Sequence, residues 1–260
     1  MRPLRKMCDL LPPAGAEHPE VTAHMIREKF AYRETITTIL ADDVCHIEAA
    51  KEGMIAARTS LERYLLADPF FQMSYGPVPA SAGSPETVRR MADAAFEADV
   101  GPMAAVAASI GWAGVLAMRD LGAAFGLIDN GGDIVLFSDR DVRVGIYAGS
   151  APSSGKTAFI IPPQNEILGI CTSSATVGPS VSFGIADLVT CFSRDPAKAD
   201  AWATGLCNIL TPENFDEVME QVAGSSVSAV YAVIGDWIGQ WGDLPKIAAA
   251  DVRYDLITKG

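Results

Sequence analysis

Extended and helical segments alternate along this chain in an order that occurs twice: two strands, then helices, then two more strands. In the first round, residues 33–40 are rich in β-branched side chains, and residues 51–65 place apolar side chains at helical spacing. Asn130, Gly131 and Gly132 separate two later extended segments, and Asn-Gly between such segments is a strong signal for a hairpin turn. This order predicts an α+β fold with antiparallel sheets packed against helices.

The predicted boundaries give an N-terminal arm followed by one domain. Residues 1–30 contain several prolines and show no stable period, so we expect an irregular arm. The domain spans 31–260, and its halves, about 31–140 and 141–260, share an order of elements without a shared sequence. Within the first half, we expect residues 44–49 to form a strand that pairs with the preceding one.

The later elements are predicted from the same kinds of signal. Gly101 and Pro102 predict a helix start, and Asp195 and Pro196 predict another. The segment 227–241 fits either a helix or a strand. Further extended segments are expected at 143–147, 158–161, 167–172 and 186–192.

Composition excludes several classes of partner and location. The 32 Asp and Glu outnumber the 20 Lys and Arg, for a net charge of −12, so the surface repels phosphate backbones and we expect no nucleic acid partner. Five widely spaced cysteines without a Cys-x-x-Cys pair indicate buried thiols in a reducing compartment, which predicts a cytoplasmic protein. The apolar stretch 100–118 is flanked by Asp99 and Arg119, and we expect a buried helix there with no membrane contact.

Three familiar catalytic or nucleotide-binding patterns are missing. Gly155, Lys156 and Thr157 follow Gly149 with five intervening residues where a P-loop needs four, and an extended segment follows instead of a helix, so we expect a hairpin turn. The three histidines are too differently placed for a zinc site. The sequence also lacks the Gly-x-Ser-x-Gly elbow of serine hydrolases.

Two segments combine glycine with backbone groups that a ligand can approach. Residues 100–107 offer free N–H groups at a helix start, which suit an anion or a ring, although a tightly packed core helix has the same sequence pattern. Residues 129–133 form either a ligand-binding turn or simply a hairpin turn. The candidate ligand-binding residues here are Gly101, Pro102, Met103, Asn130, Gly131, Gly132 and Asp133.

Two further segments carry oxygen-bearing side chains. The hydroxyls of 171–180 follow an apolar strand and predict a phosphate or carboxylate cradle, with a solvated loop as the alternative. Residues 199–204 place a carboxylate and a hydroxyl on one helix face, as magnesium ligands or as an ordinary exposed pair. The candidate ligand-binding residues are Thr172, Ser173, Ser174, Gly178 and Ser180, and the candidate metal ligands are Asp200 and Thr204.

Taken in this order, the four segments resemble the ApbE-like superfamily, and especially its branch of cytoplasmic ApbE-related proteins found in anaerobes. The likeness spans about 33–210 and rests on GPMAAVA at Gly101, NGGD at Asn130, TSS at Thr172 and ADAWAT at Ala199. The characterised members are FAD:protein FMN transferases, which use magnesium to attach FMN to a Thr or Ser of a target protein. Their fold is a tandem pair of T-fold-like units, each with two strands, helices and two strands.

The resemblance implies roles for individual residues. It implies that Asp200 and Thr204 bind magnesium together with a backbone carbonyl near Thr172. It also implies that the glycines of NGGD let the chain approach the flavin, and that the hydroxyls of TSS lie near its phosphates. The transferases carry a His…Asp-Pro-x-Thr-Gly segment after this motif, whereas residues 178–184 here read Gly-Pro-Ser-Val-Ser-Phe-Gly, so we assign no catalytic residue.

Two functions therefore follow as hypotheses. The first is binding of a flavin, FAD or FMN, or a related nucleotide-like ligand with Mg²⁺, with FMN transfer to protein as its most specific form. The branch is associated with sulfide assimilation and homocysteine formation, which implies a redox or sulfur-metabolism partner protein. The second is a non-catalytic accessory or sulfur-carrier protein, for which Cys171 is either an accepting thiol or a buried structural residue. The sequence leaves open whether the chain forms a homo-oligomer.

Overall fold

The structure is a computed structural model that describes residues 25–176, 184–253, 255 and 257–258. Most of the expected N-terminal arm lies outside the described residues, as do the candidate ligand residues Gly178 and Ser180. The first described element is a strand, so regular structure begins before residue 31, the predicted start of the domain.

The described residues form eleven strands and six α-helices. The strands are β1 (Ile26–Tyr32), β2 (Thr35–Ala41), β3 (Gly126–Asn130), β4 (Asp133–Ser138), β5 (Val142–Gly145), β6 (Thr157–Ile161), β7 (Gln164–Ser173), β8 (Leu188–Ser193), β9 (Val227–Ile234), β10 (Trp237–Gly242) and β11 (Lys246–Ala249). The helices are α1 (Val44–Ala67), α2 (Pro69–Met73), α3 (Glu86–Ala98), α4 (Val106–Asp120), α5 (Pro196–Ile209) and α6 (Phe215–Val222). A short 3₁₀ turn, Pro102–Ala105, leads into α4.

Eight strands form one antiparallel sheet in the order β1-β2-β3-β4-β7-β8-β9-β10. Helices α1 to α4 connect β2 to β3, and α5 and α6 connect β8 to β9, so each half of this sheet has two strands, helices and two strands. The predicted order of elements is therefore confirmed, and pairing of β4 with β7 joins the halves. Strands β5, β6 and β11 form a second, three-stranded sheet.

The large sheet is covered on both faces. Successive side chains of a strand point to opposite faces, so Ile39 and Ile128 pack in the core against the helices, whereas their neighbours Leu40 and Leu127 pack in the core against the small sheet. Strand β8 is buried at every residue because it lies between these two cores.

The expected hairpin of 33–40 with 44–49 is wrong. Strand β2 pairs instead with β1, through a turn in which Arg33 has a φ of 56°. Residues 44–49 belong to α1, because the side chain of Asp43 accepts a hydrogen bond from the N–H of Cys45 at 2.8 Å and caps the helix. The two aspartates at 42–43 end the strand as predicted, but they start a helix.

Two other expectations are settled by the described segments. Residues 227–241, which fitted either state, form β9 and most of β10. Within the described part of the chain, Pro102–Asp120 is the one helix long and apolar enough to cross a membrane by length and composition, and half of its apolar window is buried inside the fold.

Candidate functional site

The tip of the β3–β4 hairpin lies against the start of α4. Gly131 and Gly132 have φ angles of 72° and 106°, which side-chain-bearing residues rarely adopt, and these values account for the Gly-Gly turn. The side-chain amide of Asn130 donates a hydrogen bond to the carbonyl of Ala107 at 2.9 Å. Asn130 thereby fixes the hairpin relative to the N-terminus of α4.

The N-terminus of α4 already binds an anionic group of the protein. The carboxylate of Asp200, on α5, accepts a hydrogen bond from the backbone N–H of Ala108 at 3.0 Å. Asp200 is only 6% exposed, and the amides and dipole of a helix start favour an acid there. The free N–H groups predicted for 100–107 are thus met in part by Asp200, a contact that the sequence analysis did not anticipate.

A second carboxylate, that of the half-buried Asp133, lies at the start of β4. It accepts a hydrogen bond from the backbone N–H of Thr172 at 3.1 Å, which ties β4 to β7. Burial, together with the negative charge of Asp129, raises the pKa of Asp133 to about 7. Burial and the charge of Asp133 also raise the pKa of Asp200 well above its usual value. The charge of Asp133 therefore disfavours ionisation of Asp200.

The hydroxyls of the TSS segment point in different directions. Thr172 Oγ1 lies 2.9 Å from Thr190 Oγ1, so this hydroxyl is used within the sheet. Ser173 is the next residue of β7 and therefore faces the helices, where its buried hydroxyl has no hydrogen-bond partner in the part of the chain that the structure describes. Ser174 accepts a hydrogen bond from the N–H of Thr176 at 3.1 Å. Of the three, Ser173 is the one whose environment calls for an additional partner.

The remaining predicted residues are distributed around this centre. Thr204 follows Asp200 by one turn on α5, is half-buried and makes no hydrogen bond with the described residues. Gly101 is explained by packing, because a Cβ there would lie 2.0 Å from the carbonyl oxygen of Ser74. Pro102 is buried and Met103 half-buried in the 3₁₀ turn before α4.

Cys171 lies at the centre of the site but is not exposed. Its side chain is fully buried, and burial together with the charges of Asp133 and Asp200 raises the pKa of the thiol well above its usual value. A thiol in such surroundings is a poor source of thiolate. The buried structural interpretation of Cys171 fits these surroundings, and an accepting thiol does not.

The donor set around Asp133 and Asp200 suits a hard cation. A buried carboxylate whose pKa is raised by a neighbouring acid is stabilised by a positive charge between the two, and a buried hydroxyl oxygen is a suitable further ligand. Among the described residues, no three His, Cys, Asp or Glu side chains are grouped as a metal site, so such a cation needs hydroxyl, carbonyl or ligand oxygens in addition. An ideal Cβ on Gly132 would lie 4.0 Å from the carbonyl oxygen of Thr172, which places that carbonyl beside the hairpin tip.

Sequence reasoning missed two polar groups of this region. Asp129 precedes the NGGD turn and is half-buried, with its carboxylate accepting a hydrogen bond from the N–H of Gly132 at 2.9 Å. Its place directly before the turn was a usable signal, since Asp commonly bonds the backbone of a following turn. Ser109 of α4 carries a buried hydroxyl without a partner among the described residues, and nothing in its sequence context marked it.

Comparisons of sequence identify a family with many members in methanogens. The family model described as AbpE bacteria matches residues 20–228. A UPF0280 protein from Methanocorpusculum labreanum is 81% identical over 236 residues, which cover 91% of this chain and 100% of that protein. A UPF0280 protein from Methanosphaerula palustris is 55% identical over 236 residues, with coverage of 91% and 99%.

Comparisons of structure find the same architecture in flavin transferases. The apo form of the flavinyl transferase ApbE from Pseudomonas stutzeri matches with a TM-score of 0.55 and 10% identity, over 91% of this chain and 97% of that one. A mutant of the flavin transferase ApbE from Vibrio cholerae matches with a TM-score of 0.52 and 12% identity, over 84% and 97%. At this level of identity the likeness establishes a shared fold.

Proposed function

This chain belongs to the family described as AbpE bacteria, together with the UPF0280 proteins, and from that premise we propose that it binds a flavin nucleotide with Mg²⁺. Its fold is that of the ApbE flavin transferases. The proposed site lies where the β3–β4 hairpin, the end of β7, the start of α4 and the first half of α5 meet.

The observation that carries this proposal is the pair of carboxylates of Asp200, which is buried, and Asp133, which is half-buried. Folding removes Asp200 from water, the charge of Asp133 disfavours its ionisation, and the buried hydroxyl of Ser173 has no hydrogen-bond partner among the described residues. A bound divalent cation and its ligand would relieve both unfavourable features. A site that served only the packing of the core would be expected to hold apolar side chains there.

The residues proposed to hold the cation are Asp200, Thr204 and the carbonyl of Thr172, with Asp133 as a second carboxylate. When bound, the cation supplies positive charge that polarises a phosphate oxygen of the nucleotide. Gly131 and Gly132 carry no side chains at the hairpin tip, so the backbone there is open to close approach by a ring or a phosphate. The buried hydroxyl of Ser173 supplies a hydrogen bond to the bound ligand.

FMN transfer to a hydroxyl of a partner protein, with release of AMP, is the most specific form of this function. The structural relatives are named as flavinyl or flavin transferases, and we propose this form of transfer for the present chain. We further propose that the protein acts in the cytoplasm, with a redox or sulfur-metabolism protein as its partner. The buried thiol of Cys171 argues against a sulfur-carrier role, because a carrier needs an accessible thiolate.

A titration with FAD, with and without Mg²⁺, tests the proposal. Flavin fluorescence reports binding, and mass spectrometry of the same samples reports AMP. Saturable, Mg²⁺-dependent binding supports flavin handling, and AMP release supports transfer. Binding without AMP release, in the presence of hydroxyl-bearing candidate partners, would leave a flavin-binding protein without transfer. No saturable binding would contradict the proposal.

A further inference from the structure

A cavity lies on the face of the large sheet that is turned away from the helices. Its volume is about 550 Å³, and it is bounded by strands β1 to β4, by β5, and by residues 250–253 and 257 of the C-terminal segment. The small sheet packs against this face of the large sheet, and residues 250–253 of the C-terminal segment line the cavity beside it. The cavity is therefore separated from Asp133 and Asp200 by the sheet itself.

The floor and walls of this cavity are apolar. Leu40, Leu127 and Ile134 come from three adjacent strands of the large sheet, and Val144 and Val252 lie on the opposite wall. Pockets for small organic ligands generally measure roughly 300–1,000 Å³ and are lined mainly by apolar side chains. In both size and lining, the cavity resembles a small-molecule site.

The charges around the cavity are more basic than the chain as a whole. Four arginines line it, at Arg27, Arg140, Arg143 and Arg253, against three aspartates. The whole chain, in contrast, carries a net charge of −12. An excess of arginine in an acidic protein favours an anionic occupant.

Most of these charged groups are already engaged. Arg140 pairs with Asp42, and Arg253 pairs with Asp255. Asp129 accepts hydrogen bonds from the N–H of Gly132 and from the hydroxyl of Thr258, at 2.9 and 2.5 Å. These ion pairs and hydrogen bonds hold the lining residues in place, and their charged groups are not available to a ligand.

Arg143 differs from them. Its side chain is exposed on β5 and makes no ion pair or hydrogen bond among the described residues, the other lining acids Asp141 and Asp251 included. Arg143 is thus the cation at this cavity that is available to a ligand.

From the apolar floor and the unpaired side chain of Arg143, we propose that the cavity binds a small organic anion with an apolar body. The apolar body of this ligand lies between the sheets, and its anionic group contacts Arg143. This site is distinct from the proposed flavin site on the helix-covered face, and it does not depend on that proposal. The anionic group is a carboxylate, sulfonate or phosphate, since the guanidinium binds each through paired N–H groups.

A pair of matched fluorescent probes tests this inference on the full chain. 1-Anilinonaphthalene-8-sulfonate has an apolar body and one anionic group, and N-phenyl-1-naphthylamine has the same rings without the sulfonate. We expect saturable one-to-one binding of the sulfonate, about tenfold tighter than the neutral probe. Arg143→Ala should remove this difference by weakening the sulfonate alone. Arg119→Ala, at an exposed arginine of α4 outside the cavity, should leave both affinities unchanged.

A second variant tests the location of the apolar body. Val252→Trp fills the cavity from its outer wall and should weaken both probes. Asp200→Asn should change neither affinity, and FAD should not displace the sulfonate, which separates this test from that of the flavin site. Equal affinity for the two probes, an unchanged affinity in Arg143→Ala, or displacement by FAD would each overturn the inference.

Discussion

The carboxylate of Asp200 accepts a hydrogen bond from the backbone N–H of Ala108 at 3.0 Å, which joins α5 to the first turn of α4 across 92 positions of sequence. The acid therefore stabilises a helix start in addition to its proposed role as a cation ligand. The two roles depend on different properties of the side chain. The helix start needs an oxygen that accepts a hydrogen bond, whereas the cation needs a negative charge. A variant that keeps the acceptor oxygen but removes the negative charge can therefore separate the two roles.

Asp200→Asn should fold with no loss of unfolding free energy, because the amide oxygen still accepts from Ala108 and a buried charge is removed. Asp200→Ala leaves that N–H buried without a partner and should lower the unfolding free energy by about 1–3 kcal/mol. Urea unfolding measures both. An equal loss in the two variants would contradict the hydrogen-bonding role.

Gly101→Ala should destabilise the fold through a steric clash. A Cβ at this position would lie 2.0 Å from the carbonyl oxygen of Ser74, so the loop before α3 must shift. We expect a loss of about 1–3 kcal/mol in unfolding free energy, as is usual for overpacking. Gly76→Ala is the matched control, because a Cβ there meets nothing within 4 Å. Thermal or urea unfolding checks both, and equal effects would argue against the close contact.

Glu97 gives the fold a dependence on acid pH. Burial alone would raise its pKa, but hydrogen bonds from Lys198, Ser226 and Trp202 outweigh burial and lower the pKa to about 2. A carboxylate with a lowered folded-state pKa stabilises the protein above its unfolded value, 4.5, and this contribution is lost as the pH falls from there toward about 2.

Glu97→Gln should therefore lower the unfolding free energy at neutral pH and flatten its decline below pH about 4.5. Denaturant unfolding across that range measures the effect. Glu213→Gln, at an exposed acid before α6, is the control and should retain the slope of the unaltered protein. A slope unchanged in Glu97→Gln would contradict the assigned hydrogen bonds.

Cys171 should resist alkylation in the folded protein. Its thiol is fully buried and its pKa is raised, so reaction at neutral pH should require unfolding. Labelling with iodoacetamide, followed by peptide mass spectrometry with and without denaturant, measures this directly. Rapid native labelling of Cys171 would restore the sulfur-carrier alternative.

Local patterns were sufficient for most of the fold but not for its first strands. The Asn130–Asp133 hairpin and the Asp195-capped helix carry turn and capping residues that act over a few positions, so the sequence alone located them. Strand β1 was taken for part of an arm, although its Ile26 and Phe30 alternate with exposed residues. The aspartates before α1 signal both a turn and a helix cap, and only the packing of the following residues distinguishes the two.

The candidate site was predicted as a set of segments and not as a geometry. Asp133 and Asp200 were named from the residue patterns of their segments and from the family resemblance, but the effect of Asp133 on the pKa of Asp200 depends on contacts across the sheet and helix layers. The N–H groups of 100–107 were expected to be free for a ligand, whereas the N–H of Ala108, which directly follows them, donates to a residue 92 positions away. Long-range pairing of this kind leaves no local trace in a sequence.

The most direct test is an equilibrium titration of FAD, with and without Mg²⁺, against the unaltered protein, Asp200→Asn and Asp216→Asn. Asp216 is an exposed acid of α6 and serves as the charge-matched control. We predict that Mg²⁺ tightens FAD binding by at least about tenfold in the unaltered protein and in Asp216→Asn, and has no effect in Asp200→Asn. Binding that is equal with and without Mg²⁺, or Mg²⁺ dependence that persists in Asp200→Asn, would contradict the proposed site.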